Sequence, residues 1–336
     1  MSPNSPSGAD GSHFKEVHKP VLAAQVGRLW QALFHPEWDE KRKYCARSAR
    51  QEMPDAPQSD ALLYVDATLG EAGHARLLLE QEPRTRLLGL DADPQMLERG
   101  SRFLRQTLGA EEFDRRCNLE NRRFSDYFTA LPPGRLRADL ILFDLGISLF
   151  HYAAGRGFSF RPEDPDELLD MRLNPGYGPS AAELLQNSSE AELADIFWRY
   201  GEVHNARKIA RAIVEQRGES EVYKARILAA LVRRLSRPGR IHPATQVFQA
   251  LRIAVGDELG QLARSLPAAL EQLRPCGLLA VISFHSLEDR LVKQQFRTWL
   301  EEGRVAWVYK KVIQAPYDSP LASERSAKLR VVRLLK

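Results

Sequence analysis

Apolar and polar positions follow two different rhythms along this chain. Residues 62–65, 86–90, 140–143 and 278–284 are short, nearly unbroken apolar runs, the pattern of strands covered on both faces. Between the first three runs, apolar residues recur three and four apart, which is the helical period. Alternation of the two rhythms from residue 62 to residue 147 predicts a parallel sheet with helices on its faces. Strands then cease, and residues 179–235 read as successive helices. Ser189 followed by Glu192 is the signature of a capping box for one of them. Val21, Leu22, Val26, Leu29 and Leu33 predict a leading helix over residues 18–34, and residues 243–273 predict one long helix. Residues 305–312 and 329–335 predict a closing antiparallel pair. The expected architecture is α/β. An open Rossmann-like sheet is built from residues 14–149 and 241–336, with an all-helical unit, residues 150–240, inserted into it. Residues 1–13 are expected to be a disordered tail, and the polar, proline-punctuated residues 39–60 a mobile loop.

The strand ends carry the candidate chemistry. In an open α/β sheet, ligands bind beyond the carboxyl ends of the strands. The first run ends in Asp66 and leads into ATLGEAGHARLLLE, where Gly70 and Gly73 permit a tight turn and close backbone approach. The helix that follows offers unpaired N–H groups at its start. The second run ends in Asp91, where a ribose-hydroxyl acceptor belongs. The third ends in Asp144, with Gly146 just beyond. This order predicts a nucleoside cofactor. The dinucleotide fingerprint G-x-G-x-x-G is absent, and Glu71 would repel a pyrophosphate. A sulfonium and an amine suit Asp66 and Glu71, which selects S-adenosylmethionine.

An exocyclic base amine is a poor nucleophile, because its lone pair is delocalised into the ring. Its methylation needs an acceptor for the N–H and in-line alignment. Asp144 holds that position, with Leu145-Gly146 where many amino-methyltransferases carry two prolines. His285 is a second catalytic candidate, or else a loop histidine bonded to Glu288 or Asp289, with Ser286 as the N-cap of the next helix. Phe124 is expected to stack on adenine, and His74 to meet the cofactor through its backbone N–H. Phe158 and Phe160 either stack on an extruded base or pin the inserted unit. No metal site is expected.

Longer blocks sharpen the reading. HKPVL, DATLGEAGH, GRGFSF, LLDMR, YGEVHNARKIARAIV, HPATQVFQALRI, ISFHSLEDRLVK and SAKLR occur in this order between His18 and Arg330. Together they resemble the ribosomal RNA small subunit methyltransferase H family. That resemblance implies a class I S-adenosylmethionine-dependent methyltransferase that modifies N4 of a cytidine in the decoding centre of 16S rRNA. It implies cofactor contacts at Gly70, Ala72, Gly73, His74, Asp91, Phe124, Asp144 and His151, and substrate contacts at Arg156 and Phe158. The chain also departs from the family pattern. Ala72 replaces a glycine, and its methyl group is expected to crowd the cofactor. Leu149-Phe150-His151 replace a serine-proline-glutamine run, so His151 stands for a cofactor-contacting glutamine. The loop before Arg156 is one residue shorter. Gln246 replaces an arginine and Gly256 an asparagine, and an asparagine-proline-arginine run before SAKLR is missing. Methylation of another RNA or of a protein, and a non-catalytic RNA-binding assembly role, are the rival readings.

Charge adds a partner. The net charge of +4 conceals an asymmetry: residues 207–240 hold ten Lys/Arg and three Glu. Residues 325–336 add five cations and no acid. Concentrated positive charge attracts a polyphosphate backbone. Arg207, Lys208 and Arg211 are expected on an exposed face opposite Ile209 and Ile213, holding 16S rRNA or the small ribosomal subunit. Three widely spaced cysteines, no apolar leader and no membrane span point to a cytoplasmic protein.

Overall fold

The computed structural model describes residues 20–33, 61–153, 155–161, 166–218, 221–237, 239, 242–315 and 324–335. The expected tail and the loop over residues 39–60 lie outside them. Helix α1 (Ala23–Ala32) is shorter than the predicted leading helix, and His18 and Phe34 also lie outside the described residues. The predicted alternation follows: β1 (Leu62–Asp66), α2 (Gly73–Gln81), β2 (Thr85–Asp91), α3 (Pro94–Leu108), α4 (Ala110–Arg116), β3 (Cys117–Asn121), α5 (Phe124–Ala130) and β4 (Ala138–Asp144). Helices then run without a strand of the sheet: α6 (Leu149–Ala153), α7 (Ala181–Asn187), α8 (Glu190–Gly201), α9 (Ala206–Gln216), α10 (Ala225–Leu235), α11 (Ala244–Gly256) and α12 (Glu258–Leu270). Strand β5 (Leu273–Ser283), α13 (Ser286–Glu301), β6 (Val305–Trp307), β7 (Ile313–Gln314) and β8 (Lys328–Leu334) complete the chain.

The sheet order is β3-β2-β1-β4-β5-β8-β6, with β7 also on β8. Strands β1 to β5 are mutually parallel, and β8 runs antiparallel between β5 and β6. Chain direction across the sheet reverses between β1 and β4, so a crevice opens at their carboxyl ends. Leu140 and Leu142 of β4 face one apolar cluster, and Ile141 and Phe143 face the other. A strand covered on both faces has no polar side to show, which is why its sequence is an unbroken apolar run.

The expected single helix over residues 243–273 is two helices. Asp257 takes a left-handed conformation (φ 48°) and redirects the chain between α11 and α12. The break serves packing. Val247, Leu251 and Val255 of α11 join the helical core, whereas Leu262, Leu266 and Leu270 of α12 join the sheet core. By packing, the helical unit therefore extends past residue 241, to the break at Asp257.

The capping box at Ser189 is present. Its hydroxyl accepts from the Glu192 backbone N–H, and the Glu192 carboxylate accepts from the Ser189 N–H. Ser189→Ala should lower stability by about 1 kcal/mol. Chemical denaturation at constant m-value checks this; an unchanged midpoint would show the box to be dispensable.

Candidate active site

A cleft of ≈ 400 Å³ lies at the carboxyl ends of β1, β2, β4 and β5, within the usual range for a small-molecule site. The sheet side contributes Gly70, Gly73, His74, Asp91, Phe124 and Asp144. Facing them are Met171, Tyr177 and Arg252 from the helical unit. Five carboxylates line the cleft (Glu71, Asp91, Asp144, Glu258 and Glu288), a setting suited to a cationic ligand.

The β1–α2 loop builds one half. Gly70 adopts φ +55°, and its N–H donates to Asp91 Oδ2 at 2.8 Å. Asp91 Oδ1 accepts the Asp93 N–H, also at 2.8 Å. The carboxylate is thus fixed by backbone while retaining lone pairs for ribose hydroxyls. Phe124 stands edge-on to Phe143, with centroids 5.3 Å apart, and presents an aromatic surface to the cleft. Acceptor, aromatic ring and acidic lining together fit S-adenosylmethionine.

Three expectations at this loop change. Asp66 is sealed in the core, where its Oδ2 accepts the Tyr64 hydroxyl at 2.7 Å, and it does not line the cleft. Glu71 lines the cleft but is tied to Arg99 at 2.7 Å. Ala72 is buried and points its methyl group toward α3: a Cβ on Gly100 would meet it at 3.4 Å. The methyl group therefore does not crowd the cofactor space. Its cost is a left-handed backbone, φ +62°, at the start of α2.

Asp144 stands where the switch point opens. Its N–H donates to Thr68 Oγ1 at 2.7 Å, coupling the ends of β1 and β4. Its Oδ2 lies 3.5 Å from His74 Nε2, and its Oδ1 has no partner. His74 thus meets the site through its imidazole, not only through its backbone. The sequence reading missed this because the two residues come from different strand ends.

A second unforeseen residue is Asp93, the N-cap of α3. Its fully buried carboxylate accepts from Gln95 N–H at 2.8 Å, lies 3.0 Å from His151 Nε2 and accepts from Arg156 Nη1 at 2.7 Å. The Ser148 N–H donates to His151 Nδ1, so in the neutral ring the proton sits on Nε2 and points at Asp93. Burial alone would raise the Asp93 pKa, but the hydrogen bonds from His151 and Arg156 outweigh it and hold it below the usual range. Arg156 also donates to Gln95 Oε1 and to the Arg172 and Leu173 carbonyls. It is therefore engaged in a structural tie rather than free for substrate. Phe158 is buried in the helical core and is not available to a base, and Phe160, partly buried, packs on Phe248 and His242, pinning the helical unit. The Asp93-Pro94 pair is a readable helix start; its partners are not.

At the β5 end, His285 rather than Ser286 is the N-cap of α13. Its Nδ1 accepts the Glu288 N–H, and its Nε2 is 3.1 Å from Glu288 Oε1. His285 is not among the residues lining the cleft. Glu288 and Glu258 are, with Arg252 bridging toward them: its Nη2 donates to Glu258 Oε2 at 3.0 Å. Glu258, His285 and Glu288 come close enough to suggest a metal centre. Two observations oppose it: Arg252 already neutralises the carboxylates, and with Nδ1 accepting, Nε2 carries hydrogen rather than a free lone pair. The blocks HPATQVFQALRI and ISFHSLEDRLVK contain Arg252 and Glu288, and only folding joins them.

Arg207, Lys208 and Arg211 are exposed on α9, opposite buried Ile209 and Ile213. Arg211 is 3.5 Å from Glu190; no carboxylate pairs with Arg207 or Lys208 among the described residues. No helix among the described residues is long and apolar enough to cross a membrane.

Strand order, glycine turn, acidic strand ends and cleft define an S-adenosylmethionine-dependent methyltransferase of the Rossmann-like class I architecture, with a helical insertion. The sequence profile of the MraW methylase family matches residues 16–334. The ribosomal RNA small subunit methyltransferase H of Coprothermobacter proteolyticus is 43% identical over 320 residues, covering 94% of this chain and 95% of that protein. Its counterpart in Treponema denticola is 41% identical over 302 residues, covering 83% and 92%. A Leptospira interrogans protein of the same name is 41% identical, covering 97% and 92%. The chain belongs to the MraW methylase family.

Burial pushes the Asp91 carboxyl up to about 6, against the lowering effect of its two backbone donors. In the unfolded chain it titrates lower, so protonation near pH 5 favours the folded state, and this contribution is lost as pH rises through about 6. Cofactor binding runs the other way, because ribose hydroxyls require the ionised acceptor. Affinity for S-adenosylhomocysteine, measured by calorimetry, should fall as pH drops through about 6. Asp91→Ala should weaken binding at neutral pH by about 1.5–3 kcal/mol and remove most of the acid-side loss. Wild-type affinity in a folded Asp91→Ala protein would remove Asp91 from the ribose site.

Proposed function

We propose that this protein transfers a methyl group from S-adenosylmethionine to N4 of a cytidine in the decoding centre of 16S rRNA, with the small ribosomal subunit as substrate and the cytoplasm as its location. The observation that carries the chemistry is Asp144, lining the cleft with one carboxylate oxygen unpartnered. The names borne by the relatives support the choice of RNA. When bound, S-adenosylmethionine supplies an electrophilic methyl group on a sulfonium. Asp144 Oδ1 accepts an N–H of the base amine, orients the nitrogen and takes its proton as the amine's lone pair is committed. His74, beside Oδ2, restrains the carboxylate's rotation. The backbone tie from Asp144 N–H to Thr68 holds the acceptor in register with the cofactor loop.

Mass spectrometry of 16S rRNA from a deletion strain should show loss of one N4-methylcytidine, restored by the wild-type gene. Retention of every methylated cytidine, or methylation of another RNA or of protein in vitro, would overturn the proposal. Asp144→Asn keeps the shape of the side chain but takes no proton. Single-turnover methylation should fall by about 100-fold or more, with cofactor affinity changed far less. Equal losses in rate and affinity would make Asp144 a cofactor ligand only.

RNA backbone contact is assigned to the α9 face. Replacing Arg207, Lys208 and Arg211 together by Ala should weaken subunit binding and reduce the slope of log affinity against log salt by roughly one unit per lost phosphate contact. Cofactor affinity should not move. Identical slopes would show that this face is only solvated.

A further inference from the structure

The half of the cleft away from the cofactor loop contains a cation that the chemistry above does not use. Arg252 lies on α11, with its side chain only 16% exposed, and lines the cleft. Glu258 engages one side of the guanidinium: Nη2 donates to Oε2 at 3.0 Å, and Nε stands 2.9 Å from Oε1. A guanidinium has five N–H donors, and Nη1 has no acceptor among the described residues. Nε, although close to Glu258, is buried without a hydrogen bond of good geometry, and a buried charged group with unspent hydrogens is costly unless something else completes it. Glu288 is buried nearby and fixed by accepting the Phe284 N–H at 2.8 Å. Its attraction, with that of Glu258, keeps the guanidinium charged despite burial. The fork is therefore held from one side and open on the other.

Phe284 also lines the cleft, and the backbone ties its strand end to that of Asp144. Asp144 pairs with Ile282 across β4 and β5, and the Leu145 N–H donates to the Ile282 carbonyl at 2.9 Å. Gly146 (φ +115°) lays its backbone against the Phe284 ring: a Cβ there would fall 3.0 Å from it. The proton acceptor, the Phe284 ring and the Arg252 guanidinium thus all line the same cleft, with Arg252 facing the sheet side from the helical unit.

We propose that the space between Asp144 and Arg252 is a nucleobase subsite in which Arg252 reads the base, an inference that rests on cytidine being the target. Cytosine presents N4–H, N3 and O2 in a row. With N4 at Asp144, the adjacent acceptors N3 and O2 face the guanidinium, whose fork matches two neighbouring acceptors. Phe284, partly buried, supplies an aromatic edge of the cleft against which an extruded base can pack. Uracil presents a donor at N3, which opposes the guanidinium, so the same contact that holds cytosine rejects uracil. Glu258 and Glu288 act through Arg252 as positioning residues.

The test titrates free cytidine, uridine and 3-deazacytidine, which lacks the N3 acceptor, against protein saturated with S-adenosylhomocysteine, by ligand-observed NMR. Cytidine should bind about tenfold or more tightly than either analogue. Arg252→Gln should abolish that preference while S-adenosylhomocysteine affinity stays unchanged. If the single variant melts early because Glu258 is left unpaired, the Arg252→Gln, Glu258→Gln double variant keeps the pair neutral and should show the same loss of preference. Absence of cytidine binding, equal binding of the three nucleosides, or a preference that survives in the folded variants overturns the inference. Methyl transfer to small subunits by the wild-type protein, measured alongside, reports separately on the proposed function. Transfer with no nucleoside preference sinks the subsite alone, and preference without transfer sinks the proposed substrate alone.

Discussion

The buried carboxylate of Asp93 is the constraint on which the arrangement of this protein depends. An ionised group with no exposure must be paired, and its partners come from both halves of the fold. Toward the sheet it caps α3 and, through its backbone N–H, fixes Asp91. Toward the helical unit it takes His151 and Arg156, and Arg156 in turn gathers the Arg172 and Leu173 carbonyls. Breaking such a buried pair by removing one partner costs about 3–5 kcal/mol. The Asp91 carboxylate and the first loop of the helical unit are thereby fixed by one residue, through its backbone N–H and its side chain respectively.

This tie gives the departures from the family pattern a physical account. His151 stands where a glutamine is expected to touch cofactor, yet its ring nitrogens are committed to the Ser148 N–H and to Asp93. It still lines the cleft, but as a strut. Ala72 keeps the turn that a glycine would make freely, at the cost of a left-handed backbone, and sends its methyl group against α3. Neither substitution fills the cleft. Gly256 ends α11 immediately before the left-handed Asp257, where the chain passes from the helical core to the sheet core. Nothing in the structure explains Gln246 in place of arginine.

Electrostatics divide the cleft into working halves. The acids near the β1–α2 loop and β2 suit a cationic cofactor, and the charge of Glu71 is moderated by Arg99. On the far side, Arg252 offsets Glu258 and Glu288, so that half can accept a neutral base without expelling it. Asp144 sits between, with the His74 imidazole 3.5 Å from its Oδ2. The long-range charge is elsewhere: the exposed cations of α9 lie outside the cleft.

The sequence by itself determined strands β1, β2, β4, β5 and β8, the glycine turn, the order of Asp91 and Asp144 at strand ends, the capping box at Ser189 and the family. Each of these is written in neighbouring residues: an apolar run, a turn residue, a cap three positions before a glutamate, a contiguous motif. The expected strand over residues 305–312 is only the short β6, and β3 and β7 were not legible as apolar runs. The break at Asp257 was not legible, because apolar periodicity continues through it and only the choice between two cores bends the chain there. Nor were the roles of Arg156, Phe158 and His285. A motif shows that a residue matters, not whether its side chain faces the cleft or the interior. The pairs His74 with Asp144, Asp93 with Arg156, and Arg252 with Glu258 and Glu288 were decided by tertiary structure. Charge pairing and burial act through space, and the strand order that brings those residues together is a property of the folded sheet rather than of any one segment.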